Sequence, residues 1–201
     1  MVPFETQHET IAHNLFCGMQ ACLEEVFGDI SFCRRSVAIQ GFDEVAYLLA
    51  KQLHTTGATL YISDSDPAHV AIGVREFNAT PLLGHEIYRM DVDIFSPCAM
   101  ERFLNEQTVP RLSCKIIAGS APNQLKEKDV ADLLQRHDIL YAPDWIIRGS
   151  LSMGPDTRVA PPDLAEQGRS VYNQLKAVFA LAKKKGMTPS EAATQLYGPG
   201  S

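Results

Sequence analysis

Several features that mark particular classes of protein are scarce or missing in this sequence. No apolar run approaches the ~20 residues that a transmembrane helix needs, so we expect no membrane span. The 18 Lys and Arg residues are outnumbered by 24 Asp and Glu, and the net charge of −6 argues against a general nucleic-acid binder. The N-terminus has no basic segment followed by an apolar one, so we expect no secretory signal peptide.

Cysteine and histidine show no patterned arrangement. The five cysteines are an odd, scattered set without a C-x-x-C pair, which predicts free thiols in a reducing, cytoplasmic environment. The six histidines show neither H-x-x-x-H nor H-E-x-x-H spacing, so we predict no metal site. What is present, 45% apolar and 21% charged residues over 201 positions, is typical of one soluble globular domain.

The apolar periodicity alternates along the chain between that of strands and that of helices. The predicted strands are 36–41, 59–64, 92–95, 115–118 and 139–141, and the predicted helices are 10–27, 44–56, 67–77, 125–135, 164–185 and 189–196. This order predicts an α/β fold, a Rossmann-like doubly wound, mostly parallel sheet flanked by helices. We divide the chain into a leading segment with its helix (1–34), the Rossmann-like domain (35–197) and a flexible tail (198–201), with a loop at 149–162.

The first predicted strand–turn–helix carries a dinucleotide-binding pattern with one departure. A G-x-G-x-x-G/A motif would fall on Gly41, Asp43 and Ala46, so an acid replaces the glycine that lets a pyrophosphate approach the backbone. Asp is a preferred N-cap and Glu44 suits the helix dipole, so we hypothesise that Asp43 fills the anion site with the protein's own carboxylate. Asp64 stands where a Rossmann fold holds the ribose hydroxyls, although it could instead only cap the following turn.

Four segments, in matching order and spacing, resemble the leucine, phenylalanine and valine dehydrogenases, and more distantly glutamate dehydrogenase. They are VAIQGF, DVDIFSPCAM, KIIAGSAPNQL and ILYAPDWII. The resemblance runs from about Thr10 to the C-terminus and covers the cofactor domain of that family. It implies an NAD-dependent oxidoreductase of amino-acid metabolism. The cofactor-binding positions that it implies are Gly41, Phe42, Asp43, Glu44, Val45, Asp64, Cys98, Ala99 and Asn123.

The sequence departs from this family where function is concerned. The family's G-F-G-N-V-G is GFDEVA here, its A-N-N-Q is APNQ (121–124), and its I-N-A-G-G is IRGSL (147–151). The family's separate N-terminal domain carries the catalytic lysine and aspartate, and its glycine-rich lysine motif does not occur in this sequence. We therefore expect a retained fold with altered or lost redox chemistry. NAD is the candidate cofactor, bound weakly or with changed geometry if it binds at all.

Three functions stay open at this point. The first is the cofactor half of an amino-acid dehydrogenase that relies on a partner chain for the substrate site and base. The second is a non-redox enzyme acting on an amino-acid-like ligand, with Cys98, Asp144 and Arg148 as candidate catalytic residues beside Ser120 and Asn123. The third is a non-catalytic binding or scaffold protein. Cys98 could equally be a scaffold residue, and Asp144 and Arg148 could form a simple i,i+4 ion pair.

An apolar cluster near the end of the resemblance predicts an interaction surface. Its members are Trp145, Ile146, Ile147, Leu151 and Met153. In the complete family this segment faces the catalytic domain, and exposed apolar patches often mark interfaces. We predict a homo-oligomer or a partner chain at the face near Trp145 and Ile147. Burial in the domain's own core is the alternative.

Overall fold

A computed structural model describes residues 4–99, 103–149 and 163–198 of the chain. The strands are β1 (Ser36–Gln40), β2 (Thr59–Ser63), β3 (Thr80–Pro81), β4 (Asp91–Pro97), β5 (Ser113–Ile117) and β6 (Leu140–Tyr141). They form one sheet in the order β3-β2-β1-β4-β5-β6, and every neighbouring pair is parallel. This is the Rossmann strand order, and it confirms the predicted fold class.

Seven α-helices surround the sheet in the described ranges. They are α1 (Phe4–Phe27), α2 (Glu44–Thr55), α3 (Pro67–Phe77), α4 (Val130–Arg136), α5 (Asp144–Ile147), α6 (Leu164–Lys185) and α7 (Pro189–Tyr197). Two short 3₁₀ turns, Ile87–Arg89 and Val109–Arg111, lie between β3 and β5. Among the residues described, no helix combines the length and apolarity needed to cross a membrane.

The central strands are buried on both faces, which explains why they read as continuous apolar runs rather than alternating ones. Val37 and Ile39 of β1 belong to a core shared with α1, α2 and α6. Ala38, between them, belongs to a second core with Phe95 and Ile117 on the opposite face. The sheet therefore has a hydrophobic layer on each side, as the doubly wound architecture requires.

The helix starts follow local capping chemistry. The side chains of Asp43, Asp66 and Asp163 accept hydrogen bonds from the first turns of α2, α3 and α6. Thr188 and Glu191 form a reciprocal capping box at α7. Because these signals are local, the predicted starts of these four helices agree with the structure.

The differences from the predicted elements come from tertiary pairing. Residues 125–129 are not helical, because Leu125 forms a parallel β-bridge with Leu104 and α4 begins only at Val130. Strand β3 was not predicted; it has two residues, including Pro81, and no apolar pattern. It lies at one edge of the sheet and β6, also of two residues, lies at the other. Of the predicted loop 149–162, only Gly149 falls within the described residues, and residues 199–201 of the tail fall outside them.

Candidate active site

The candidate site lies at the carboxyl ends of the parallel strands, beside the neighbouring pair β1 and β4. The chain leaves these two neighbouring strands toward opposite halves of the sheet, and such a switch point is where open α/β sheets bind ligands. A continuous set of contacts joins the segments that follow β1, β2, β4, β5 and β6. We call this region the crevice; it consists of Gly41–Ala46, Asp64, Cys98, Ala99, Ser120 and Arg148.

Gly41 makes the turn after β1 and is required there for two reasons. Its φ of +84° is in the left-handed region that favours glycine. A Cβ at this position would lie 2.2 Å from Cβ of Ala99, in the loop after β4. The first glycine of the dinucleotide pattern therefore serves the close approach of two loops.

Asp43 caps α2, as the sequence predicts. Its Oδ1 accepts a hydrogen bond of 2.9 Å from the backbone N–H of Ala46, while its side chain is exposed at the crevice. Glu44 is drawn toward α1, since its Oε2 lies 2.7 Å from Nδ1 of His8. The start of α2 thus presents one capping carboxylate to the crevice and holds a second against the preceding helix.

Asp64 ties the loops after β1 and β2 together. Its Oδ2 accepts a hydrogen bond of 2.6 Å from the N–H of Phe42, and its Oδ1 accepts one of 2.7 Å from the N–H of Asp66. Burial favours the neutral form, but these two bonds and the nearby His69 outweigh it, so the pKa of Asp64 lies below its ordinary value. Each carboxylate oxygen already has a backbone partner.

Phe42 and Val45 contribute packing rather than polar groups. Both are buried, and the ring of Phe42 packs against Phe77 and Tyr47 in the core on the α2 side. These two side chains anchor the turn, and of its six residues only Asp43 and Glu44 are exposed.

Cys98 is poorly suited to act as a nucleophile. It is only 6% exposed, and burial raises the pKa of its thiol, although hydrogen bonds from Ser120 and Ser96 oppose the rise. The negative charge of Asp43 raises it further. A catalytic cysteine needs the reverse environment, so the structure supports a scaffold role and does not favour the catalytic candidate.

The predicted pair Asp144 and Arg148 does not form an ion pair. Oδ1 of Asp144 accepts from the hydroxyl of Tyr141 at 2.7 Å, and its Oδ2 accepts from the N–H of Asn123 at 2.8 Å. Arg148 instead donates to the carbonyl of Ser120 at 2.9 Å. Asn123 is exposed, with a φ of +49°. Both charged side chains therefore hold the loop after β5, and the i,i+4 ion pair considered as one alternative is not formed.

Gln124 is a polar residue of this loop that sequence analysis did not single out. It is fully buried, and its Nε2 donates to the carbonyls of Gly119 and Ala121. Gly119 in turn lies directly against Pro97. A Cβ at position 119 would be only 2.1 Å from the Pro97 carbonyl oxygen, so no larger residue fits there without a shift. The amide at the end of the APNQ segment is the signal that could have identified it.

The apolar cluster around Trp145 is largely internal where it is described. Ile146 and Ile147 are buried in the core, and only Trp145 is partly exposed. Ile147 therefore cannot present a surface to a partner. Leu151 and Met153 lie outside the described residues. No group of three or more potential metal ligands occurs in the described part of the chain.

Comparison of the sequence and the structure with known proteins identifies a family to which the chain is similar. The family model "Glutamate/Leucine/Phenylalanine/Valine dehydrogenase" matches residues 68–148. Leucine dehydrogenase of Thermoactinomyces intermedius is 36% identical over 188 residues, which are 92% of this chain and 51% of that protein. L-tryptophan dehydrogenase of Nostoc punctiforme is 38% identical over 190 residues, 90% of this chain and 53% of that protein. The crystal structure of L-tryptophan dehydrogenase from that organism has a TM-score of 0.86 at 34% identity, over 94% of this chain and 59% of that one.

This chain is a domain of the glutamate/leucine/phenylalanine/valine dehydrogenase family. It spans about half the length of the curated relatives that it matches. The region matched by the dehydrogenase family model begins in α3 and ends at Arg148, so it includes Cys98, Ala99, Asn123 and Asp144. The turn at Gly41 precedes that region. The family resemblance that the sequence predicted is thus confirmed.

Proposed function

We propose that this chain is the Rossmann-type domain of an amino-acid-dehydrogenase-like oxidoreductase in which the dinucleotide corner is closed by the chain's own carboxylates. The supporting observation is the capping bond from the Ala46 N–H to Asp43 at the start of α2. A helix N-terminus attracts an anion through free N–H groups and the positive end of the dipole. Here a side-chain anion already uses that position.

The described residues do not fit the pyrophosphate of NAD as they stand. Asp43 puts a negative charge where a dinucleotide motif has a glycine. The N–H of Phe42 is held by Asp64, and the acid that would bind the ribose hydroxyls has a backbone donor on each of its oxygens. Each oxygen of Asp64 can accept a second hydrogen bond, so the ribose position stays usable. A pyrophosphate would instead have to displace the Asp43 carboxylate and the Phe42–Asp64 bond, so we assign no hydride transfer to the chain in this form.

The substrate class is proposed from the relatives, which are named as dehydrogenases of leucine and tryptophan. Oxidation of an amino acid requires a hydride acceptor and a base that removes the ammonium proton. We propose that another domain or partner chain supplies the base, and that the partly exposed face of Trp145 is where such a partner binds. A cytoplasmic location fits the five free cysteines.

The proposal is tested by titrating the chain with NAD in a calorimeter, beside Asp43→Gly. A like charge about 5 Å from a phosphate costs roughly 1–3 kcal/mol at an intermediate dielectric, so Asp43→Gly should tighten NAD binding about 10- to 100-fold. Thr188→Gly is the matched control, because it removes a capping side chain from α7, next to the start of β6 rather than at the crevice. It should leave NAD binding unchanged.

Two results would contradict the proposal. Micromolar NAD binding by the unmodified chain would show that the corner is open. An Asp43→Gly variant that is folded and binds NAD no better than the Thr188→Gly control would show that Asp43 does not close it.

A further inference from the structure

A thiol, an imidazole and a carboxamide lie in one hydrogen-bonded row at the junction of α1, α2 and α6. Sγ of Cys17 is 3.6 Å from Nε2 of His13, one turn earlier on α1. Nδ1 of the same ring is 3.2 Å from Oε1 of Gln52 on α2. The proposed function uses none of these three side chains.

The carboxamide of Gln52 determines which ring nitrogen of His13 carries the proton. Its Nε2 donates to the carbonyl of Leu48, which turns Oε1 toward the imidazole. An amide oxygen only accepts hydrogen bonds, so in the neutral ring the hydrogen is on Nδ1. Nε2 is then an acceptor facing the Cys17 thiol.

The thiol and the base are arranged for concerted proton removal. Burial raises the pKa of the Cys17 thiol, so the resting pair is a neutral S–H hydrogen-bonded to Nε2. A positioned general base takes the proton as the new bond to sulfur forms, which accelerates reaction by about 10²- to 10⁴-fold in enzymes. The order thiol, imidazole, carboxamide is that of papain-like cysteine nucleophiles.

Helix α6 covers one side of this pair with backbone alone. A Cβ on Gly168 would lie 2.6 Å from Sγ of Cys17 and 2.7 Å from Nε2 of His13. Cys17 and His13 nevertheless keep part of their surface in solvent. A small, uncharged reagent suits such a site, since it can approach from the open side without a large desolvation cost.

The other thiols provide the contrast. Cys22, Cys98 and Cys114 are buried, and burial raises the pKa of each. Cys33 is exposed, and no hydrogen bond to its thiol occurs in the described part of the chain. Cys17 is therefore distinguished by a base rather than by its exposure.

We propose that Cys17 is a base-assisted modification site for small, uncharged Michael acceptors, that is, α,β-unsaturated carbonyl compounds. Sγ forms a bond to the β-carbon, and the electron pair of the C=C bond moves onto the carbonyl as an enolate. The thiol proton passes to Nε2 of His13, and the protonated imidazole returns it to the α-carbon. The addition consumes no oxidant and releases no leaving group.

The test measures site-specific rates of reaction with N-ethylmaleimide by peptide mass spectrometry, with Cys17 and Cys33 followed in the same molecules. Cys17 should react at least as fast as Cys33 although it is more buried. His13→Phe should slow Cys17 at least 10-fold and leave Cys33 unchanged. Gln52→Leu should also slow Cys17, whereas Gln52→Glu should preserve its rate because a carboxylate can orient Nδ1 in the same way.

Cys22 serves as an internal monitor of folding, because it is fully buried and should stay unlabelled in every intact variant. If His13→Phe exposes Cys22, the two Gln52 variants decide the question, since both keep the histidine. A Cys17 rate that does not depend on His13, or that is equal in Gln52→Leu and Gln52→Glu, overturns the proposal.

Discussion

Replacing Asp64 by Asn tests the inference that one carboxylate joins the loops after β1 and β2. The side chain is 12% exposed and accepts backbone hydrogen bonds at 2.6 and 2.7 Å. Asparagine has a single acceptor oxygen, and its NH₂ group would face the second backbone N–H. The variant therefore loses one bond to a charged acceptor and leaves a donor without a partner.

The expected cost can be worked from these contacts. A hydrogen bond to a charged group contributes about 1.5–3 kcal/mol net, and an unpaired buried donor costs a similar amount. Because the loop can relax partly, we expect Asp64→Asn to lower the free energy of unfolding by roughly 2–3 kcal/mol at neutral pH. Asp66→Asn is the matched control. Asp66 caps α3 through the N–H of Ala68, and Asn caps about as well as Asp, so its cost should be under about 0.5 kcal/mol.

Urea unfolding followed by circular dichroism gives both values. The difference between the unmodified chain and Asp64→Asn should also depend on pH. Since the folded pKa of Asp64 is lowered, its stabilisation is complete above the unfolded pKa of about 3.9 and is lost as the pH falls through the folded value. Equal stability of the two Asn variants, or a difference that does not shrink in acid, would refute the reasoning.

Two further predictions concern the same end of the sheet. Gly119→Ala should destabilise the chain by roughly 1–3 kcal/mol or more, because its Cβ would meet the Pro97 carbonyl oxygen. Gly84→Ala is the control, because its Cβ would meet open space and its φ is not positive, so its cost should be within about 0.5 kcal/mol. Urea unfolding compares the two variants, and equal costs would contradict the close approach. Cys98 should resist iodoacetamide until the chain unfolds, as mass mapping across a urea series can show, and early labelling in the folded chain would contradict its burial.

Much of the fold follows from local signals in the sequence. The apolar run of a strand and the capping residue of a helix each involve only a few neighbouring positions, so both can be recognised from the sequence. The N-cap role of Asp43 was predictable for the same reason, since its partner is only three residues away. The prediction that Asp64 only caps the following turn was incomplete. Its carboxylate accepts a hydrogen bond from the N–H of Asp66 in that turn, but it also accepts one from the N–H of Phe42.

What sequence analysis missed depends on contacts between distant residues. The predicted helix at 125–135 was too long because Leu125 pairs with Leu104 across the loops. The ion pair considered for Asp144 and Arg148 does not form, because a tyrosine hydroxyl and a loop N–H occupy the two oxygens of Asp144. Ile147 packs near Gly18 of α1, a contact that spacing along the chain does not reveal.

The two edges of the sheet limit how the domain can associate. Strand addition needs a row of unpaired backbone groups, and β3 and β6 each offer only two residues. Pro81 removes one backbone donor from β3. Copies of this domain therefore have little opportunity to join into a continuous intermolecular sheet, and we expect concentrated solutions to resist fibril formation. Association of copies at these two edges would then have to use side-chain surfaces rather than strand pairing.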